Sequence, residues 1–136
     1  MTALEIKRWN PPGFSQPVGY CQVVTVKGDA KFILLGGKAG LTADGVIPET
    51  LADQAKLTFD NIRRALAAEG AEPKDIIELM IFIVDLDKVD PEPVYQQVRD
   101  LCPKGFKPVS MVIGVSALAI PALKMEVNVR AVVPAA

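Results

Sequence analysis

No histidine occurs anywhere in the 136 residues. That removes Ser–His and Cys–His nucleophile pairs and, with so few cysteines, the usual zinc sites. The two cysteines, Cys21 and Cys102, are too few for a disulfide framework and read as separate, reduced thiols. Aromatic residues make up only 6% of the chain and the net charge is −1. A dedicated nucleic-acid binder needs a basic surface studded with aromatics, so this balance argues against one. No apolar run approaches membrane-spanning length, and MTALEIKRW at the N-terminus lacks the apolar stretch and small cleavage-site residues of a signal peptide. The expected setting is a reducing cytoplasm, away from membranes. Nucleotide motifs are missing as well. Gly37-Lys38 is followed by Ala39, and Phe32 stands where a P-loop needs its first glycine. There is no dinucleotide-fold glycine fingerprint and no nucleophile elbow. Nothing in the chain calls for a metal or a cofactor.

What is present is a chain that is 50% hydrophobic, long enough to bury a core and read as one domain over residues 1–136. Its organising stretch runs from Thr50 to Val84. Leu51, Ala55, Phe59, Ile62 and Leu66 recur at steps of four, four, three and four, which places them on one stripe of a helix. Asp53, Lys56, Asp60, Arg63 and Arg64 fall on the other side. Gly70 suits a helix C-terminus because it tolerates positive φ, and Pro73 blocks continuation. From Ile76 to Val84 every residue but Glu78 is apolar, the pattern of a strand buried on both faces.

The flanking elements follow from local chemistry. Pro11, Pro12 and Pro17 fix φ and withhold amide protons, so residues 1–19 read as an ordered loop or edge segment. Cys21 to Val26 reads as a strand, Lys27-Gly28-Asp29 as a hairpin turn, and Lys31 to Leu35 as the partner strand. Gly36-Gly37 ends that strand where the backbone can be approached closely. Asp90-Pro91-Glu92 is a helix start whose apolar stripe is Val94, Val98 and Leu101. Val109 to Val115 is a mostly apolar strand. Met125, Val127, Val129 and Ala131 alternate with Lys124, Glu126, Asn128 and Arg130, a strand with one apolar and one polar face. The order is β-β-α-β-α-β-β, an α+β fold with a mixed sheet and both helices on one face.

Two helices cover one side of such a sheet. The strands at 76–84 and 109–115 nevertheless offer large apolar side chains to both sides, and each one left wet forgoes roughly 1.5–3 kcal/mol. A few exposed hydrophobes are ordinary, but a contiguous patch points to a symmetric homo-oligomer packed through the open face. The polar row Lys124, Glu126, Asn128 and Arg130 reads equally as a solvated strand face or as the lining of an intersubunit cleft. Lys38 suits an exposed loop lysine, and Arg130 an ion pair or a subunit rim.

Several short stretches together resemble the Rid family of reactive-intermediate deaminases, also called YjgF or endoribonuclease L-PSP. They are Gly13-Phe14-Ser15-Gln16, Gly36-Gly37, Thr58-Phe59-Asp60-Asn61-Ile62, Ala68-Glu69-Gly70-Ala71, Ile81 to Leu86, and Lys124-Met125-Glu126-Val127. The resemblance implies a chorismate-mutase-like fold and a homotrimer with ligand clefts between subunits. It also implies hydrolysis of an imine or enamine to a ketone and ammonia, with Glu126 as the catalytic residue that orients water. Phe14, Gly37, Val109 and Met111 are the corresponding substrate-binding candidates, with Lys38 or Arg130 as the candidate for a relocated cation. The chain departs from the family at four of the positions compared. Val109 replaces an arginine that clamps a substrate carboxylate, Phe14 a tyrosine, Gly36 a common serine and Met111 a common cysteine. A divergent deaminase of this kind is one expectation. A non-catalytic trimer binding a small metabolite is the alternative, and a ribonuclease or translation inhibitor fits the charge least.

Overall fold

The protein is described over residues 2–136 from a computed structural model. Six strands and two α-helices follow in the order β1 (Glu5–Trp9), β2 (Val23–Lys27), β3 (Ala30–Leu34), α1 (Leu51–Ala68), β4 (Ile76–Val84), α2 (Glu92–Leu101), β5 (Val109–Val115) and β6 (Met125–Pro134). The strands form a four-stranded sheet, β3-β6-β4-β5, and a separate two-stranded ribbon, β1-β2. Parallel pairing of β4 with β5, beside antiparallel β4–β6 and β3–β6, makes the larger sheet mixed.

Helix α1 forms where the apolar spacing requires it. Thr50 caps it by accepting the Asp53 backbone N–H at 3.1 Å, satisfying one of the otherwise unpaired first-turn donors. Gly70, at φ +73°, takes the left-handed conformation that lets the chain leave the helix. Ala55, Phe59, Ile62 and Leu66 are fully buried, and Leu51 packs partly buried at the margin. They meet Leu79, Ile81 and Ile83 of β4 and Met125, Val127 and Val129 of β6, which together with Val94 and Leu101 of α2 form the core. The fold is thus the α+β arrangement expected, with both helices on one side of the sheet.

Three expectations are corrected. Strand β4 is buried on one face only: Ile76, Leu79, Ile81 and Ile83 are covered, whereas Met80, Phe82 and Val84 are half-exposed. A single copy supplies no second layer. The N-terminal segment is not all loop, because Glu5–Trp9 is a strand running antiparallel to β2 from Glu5↔Lys27 to Trp9↔Val23. Finally, β3 pairs with β6 rather than with β2. The turn at Lys27-Gly28-Asp29 exists, with Gly28 at φ +100°, but the N-terminal segment lies against it and Asp29 donates its backbone N–H to Thr2 O at 3.0 Å. That segment takes the hydrogen bonds β2 would have offered β3, while the ten-residue β6 offers β3 a longer edge.

Arg8 joins the ribbon to the sheet. Its guanidinium donates to the carbonyls of Ile76 (2.7 Å), Lys107 (3.0 Å) and Lys74 (2.9 Å), and burial pulls it below its usual pKa. Cys21 and Cys102 are free and buried near this junction, and burial pushes the Cys102 thiol up to about 11.

Candidate functional site

The uncovered face of the sheet can be read from strand register, because directly opposed residues share a face. Across β6, β4 and β5 it carries three rows: Glu126–Phe82–Ile113, then Asn128–Met80–Met111, then Arg130–Glu78–Val109. Glu126 therefore stands beside Phe82. The Arg130 row continues onto β3 at Leu34. Met111 is 53% exposed and Leu34 68%, as expected of a face without cover.

Glu126 is seated by two features. The first is the Gly36-Gly37 bend after β3. A Cβ on Gly37 would stand 2.5 Å from Glu126 Oε1, so only glycine lets the backbone come this close to the carboxylate. The second is Gln54 of α1, fully buried yet fully bonded. Its amide nitrogen donates to Pro48 O (2.9 Å) and Ala122 O (3.0 Å), and its oxygen accepts the Lys124 backbone N–H at 2.8 Å. These bonds fix the loop that enters β6, and with it the place of Glu126. Neither Gln54 nor Phe82 was singled out by sequence reasoning. A polar residue beside the apolar helix stripe was the available signal for Gln54; Phe82 required the β4–β6 register.

The remaining candidates separate into groups. Lys38 exchanges two backbone hydrogen bonds with Val127, both 2.8 Å, and so shares the helix-covered side. There it lines a cavity of about 430 Å³ with Asn61 and Arg64 of α1, facing away from Glu126. Arg130 Nε lies 3.5 Å from Glu78 Oε1, the ion pair that was one reading of it. Val109 and Met111 do face the open side, on β5. Phe14 is 60% exposed in the loop between β1 and β2, which is held against the start of β5 by the Cys21 N–H bond to Pro108 O at 2.9 Å. Tyr20 of the same loop, not Phe14, lines a cavity of about 310 Å³ with Tyr95, Arg99 and Ser110.

The structure therefore brings Gly37 and Glu126 together and leaves Val109 far from both. Glu126 and Val109 differ by two strands and four residues of register, which is roughly 16 Å at ordinary strand spacings. The Gly37–Glu126 pair and Val109 thus lie at opposite ends of a single face. Among the described residues, no group of three or more His, Cys, Asp or Glu side chains is arranged to hold a metal ion. Nor is any helix among them long and apolar enough to cross a membrane.

Comparison with known proteins agrees with this architecture. A family profile described as Endoribonuclease L-PSP matches residues 14–133. Over 57 residues the chain is 39% identical to the "Putative reactive intermediate deaminase TdcF" of Escherichia coli strain K12, a match covering 41% of this chain and 44% of TdcF, less than half of that relative. It is 28% identical over 123 residues to a RutC family protein of Aquifex aeolicus, covering 85% and 90% of the two chains. Among solved structures, the Rid family protein YyfB from Yersinia pestis superposes with a TM-score of 0.81 at 23% identity, over 94% of this chain and 98% of that one. A YjgF/YER057c/UK114 family member from Mycobacterium tuberculosis gives 0.65 at 23% identity, over 95% and 100%.

Proposed function

Because the chain belongs to the endoribonuclease L-PSP family, the Rid or YjgF family of its structural relatives, we propose that it hydrolyses the C–N bond of a small imine or enamine, using Glu126 to activate water. The observation that carries this reading is the carboxylate of Glu126 seated against the bare backbone of Gly37 on a sheet face with no cover. In the proposed reaction Glu126 takes a proton from water as its oxygen attacks the imine carbon. Glu126 returns that proton to the imine nitrogen, giving a neutral carbinolamine. It then relays the carbinolamine's hydroxyl proton to the amine as the C–N bond breaks, so that ammonia leaves and a ketone remains. An enamine first accepts a proton at carbon to become the imine.

The working unit is proposed to be a homotrimer of one-domain chains, residues 1–136, joined open face to open face. The separation of Glu126 from Val109 supports this, since the β5 edge of one copy can complete the Gly37–Glu126 edge of the next. Burial of Leu34, Phe32 and Met111, which are 68%, 58% and 53% exposed in one copy, would supply part of the driving force.

The test is ammonia release from 2-iminopropionate and from uncharged enamines. Glu126→Gln is expected to lower turnover about 100-fold or more, the usual scale of a lost general base. Absence of turnover on every substrate, or full activity in Glu126→Gln, counts against the reading. Apolar Val109 and Met111 on the β5 half favour a second one, a trimer that binds a small metabolite without changing it. Thermal stabilisation by a ligand recovered intact would support that alternative.

A further inference from the structure

The charges on the open face determine which substrates it can hold. Arg130 is paired with Glu78, and Glu78 stands directly opposite Val109 in the β4–β5 register. Lys124, at the other end of the polar row, shares a cavity with Glu49, Asp85 and Asp90. Lys38 and Arg64 lie on the helix-covered side of the Gly37 bend. Arg8 is engaged by three backbone carbonyls. The open face therefore presents carboxylates at Glu126 and Glu78, apolar side chains at Phe82, Met80, Met111 and Ile113, and no guanidinium without an acidic partner among the described residues. In an assembly of identical chains the same inventory applies to both halves of a cleft.

We infer that the substrate of this site lacks a carboxylate: it is an imine or enamine whose substituents are apolar, packed on Phe82 and Met111 with the reacting carbon toward Glu126. This deepens the hydrolase reading and rests on it. A substrate carboxylate would meet the like charge of Glu126 and find the cation of this face, Arg130, already paired with Glu78. Glu78 gives the inference a distinctive consequence. An arginine introduced at Val109 would face Glu78 across the strand pair and share its one carboxylate with Arg130. Val109→Arg alone is therefore expected to move selectivity toward the carboxylate substrate only partly, whereas Glu78→Gln/Val109→Arg leaves both guanidiniums without an acidic partner.

The experiment measures kcat/KM for ammonia release from two imines that differ only in the carboxylate, 2-imino-3-phenylpropanoate and 1-phenylpropan-2-imine. The wild-type protein is expected to favour the second at least tenfold. The double variant is expected to lower that ratio tenfold or more, and Val109→Arg to lower it by a smaller factor than the double variant does. A wild-type preference for the carboxylate overturns the inference, as does carboxylate turnover abolished by Lys38→Ala or Arg64→Ala, which would place an anion site on the other side of the bend. Binding of the two ketone products, phenylpyruvate and phenylacetone, is read in parallel by thermal shift. If neither imine is hydrolysed, the hydrolase reading fails, yet stabilisation by phenylacetone alone still supports the assigned ligand class. Stabilisation by phenylpyruvate alone, by both equally, or by neither overturns it.

Discussion

The two faces of the same sheet obey different rules although they are built from the same strands. On the helix side Leu79, Ile81 and Ile83 of β4 and Met125, Val127 and Val129 of β6 are all apolar and fully buried. On the other side apolar Met80, Phe82, Met111 and Ile113 share the face with Glu78 of β4, while β6 turns polar with Glu126, Asn128 and Arg130. A solvent-facing sheet surface would be polar on all strands, and a core face polar on none. This mixed surface is what a partly covered face with a polar cleft at one side requires.

The comparison can be broken most directly by matched phenylalanine truncations. Phe59→Ala, in the core under α1, is expected to cost about 3–5 kcal/mol in urea unfolding at any protein concentration. Phe82→Ala, on the open face, is expected to lower stability in concentrated protein and to cost progressively less on dilution, because in the proposed oligomer its cover comes from another copy. Equal losses independent of concentration would erase the distinction between the faces.

A smaller effect sharpens the covered side. Cys102 is buried and its thiol is raised from 9.0 to about 11. The folded state therefore keeps its proton at pH values where the unfolded chain has already released it. That contribution is complete below the unfolded pKa and is lost as pH rises through the folded one. Integrated over two units it comes to about 2–3 kcal/mol, disappearing between about pH 9 and 11. Chemical denaturation across that window is expected to show a steeper fall for the wild-type protein than for Cys102→Ala. Parallel slopes would mean the thiol is not held neutral by burial.

The smallest effect belongs to the open face. Arg130 and Glu78 are 55% and 33% exposed in their side chains, so Arg130→Gln is expected to change folding stability by less than about 1 kcal/mol. Thermal unfolding at low and high salt measures it. A larger loss would show that the pair is sealed by a neighbouring subunit.

Much of the covered side was legible in advance. The stripe from Leu51 to Leu66 and the alternation from Lys124 to Ala131 are strictly periodic, and periodicity is set by backbone geometry alone. The strand at 109–115 was legible too, as a mostly apolar run of strand length that begins directly after Pro108. The pairing of β3 and the existence of β1 were not. Leu4 and Ile6 alternating with Glu5 and Lys7 was a usable sign of a strand, outweighed by the prolines that follow. Lys38 was legible as a neighbour of the Gly36-Gly37 bend, but not the side of the sheet it takes. Its neighbour Gly37 touches the Glu126 carboxylate, but consecutive residues of an extended chain point to opposite sides, and the bridge to Val127 decides which side each takes.

The sequence by itself determined which residues would share a helix stripe or a strand face, since spacings of 3.6 and 2 residues are properties of single segments. It also determined that two helices could cover only one side of a sheet this apolar. Only the tertiary structure decided that Glu78 stands between Val109 and Arg130, that Gly37 rather than Lys38 meets Glu126, and that Glu126 and Val109 lie far apart on one face. Those juxtapositions depend on which strand edges win the competition for one another's hydrogen bonds, a contest between segments far apart in the chain.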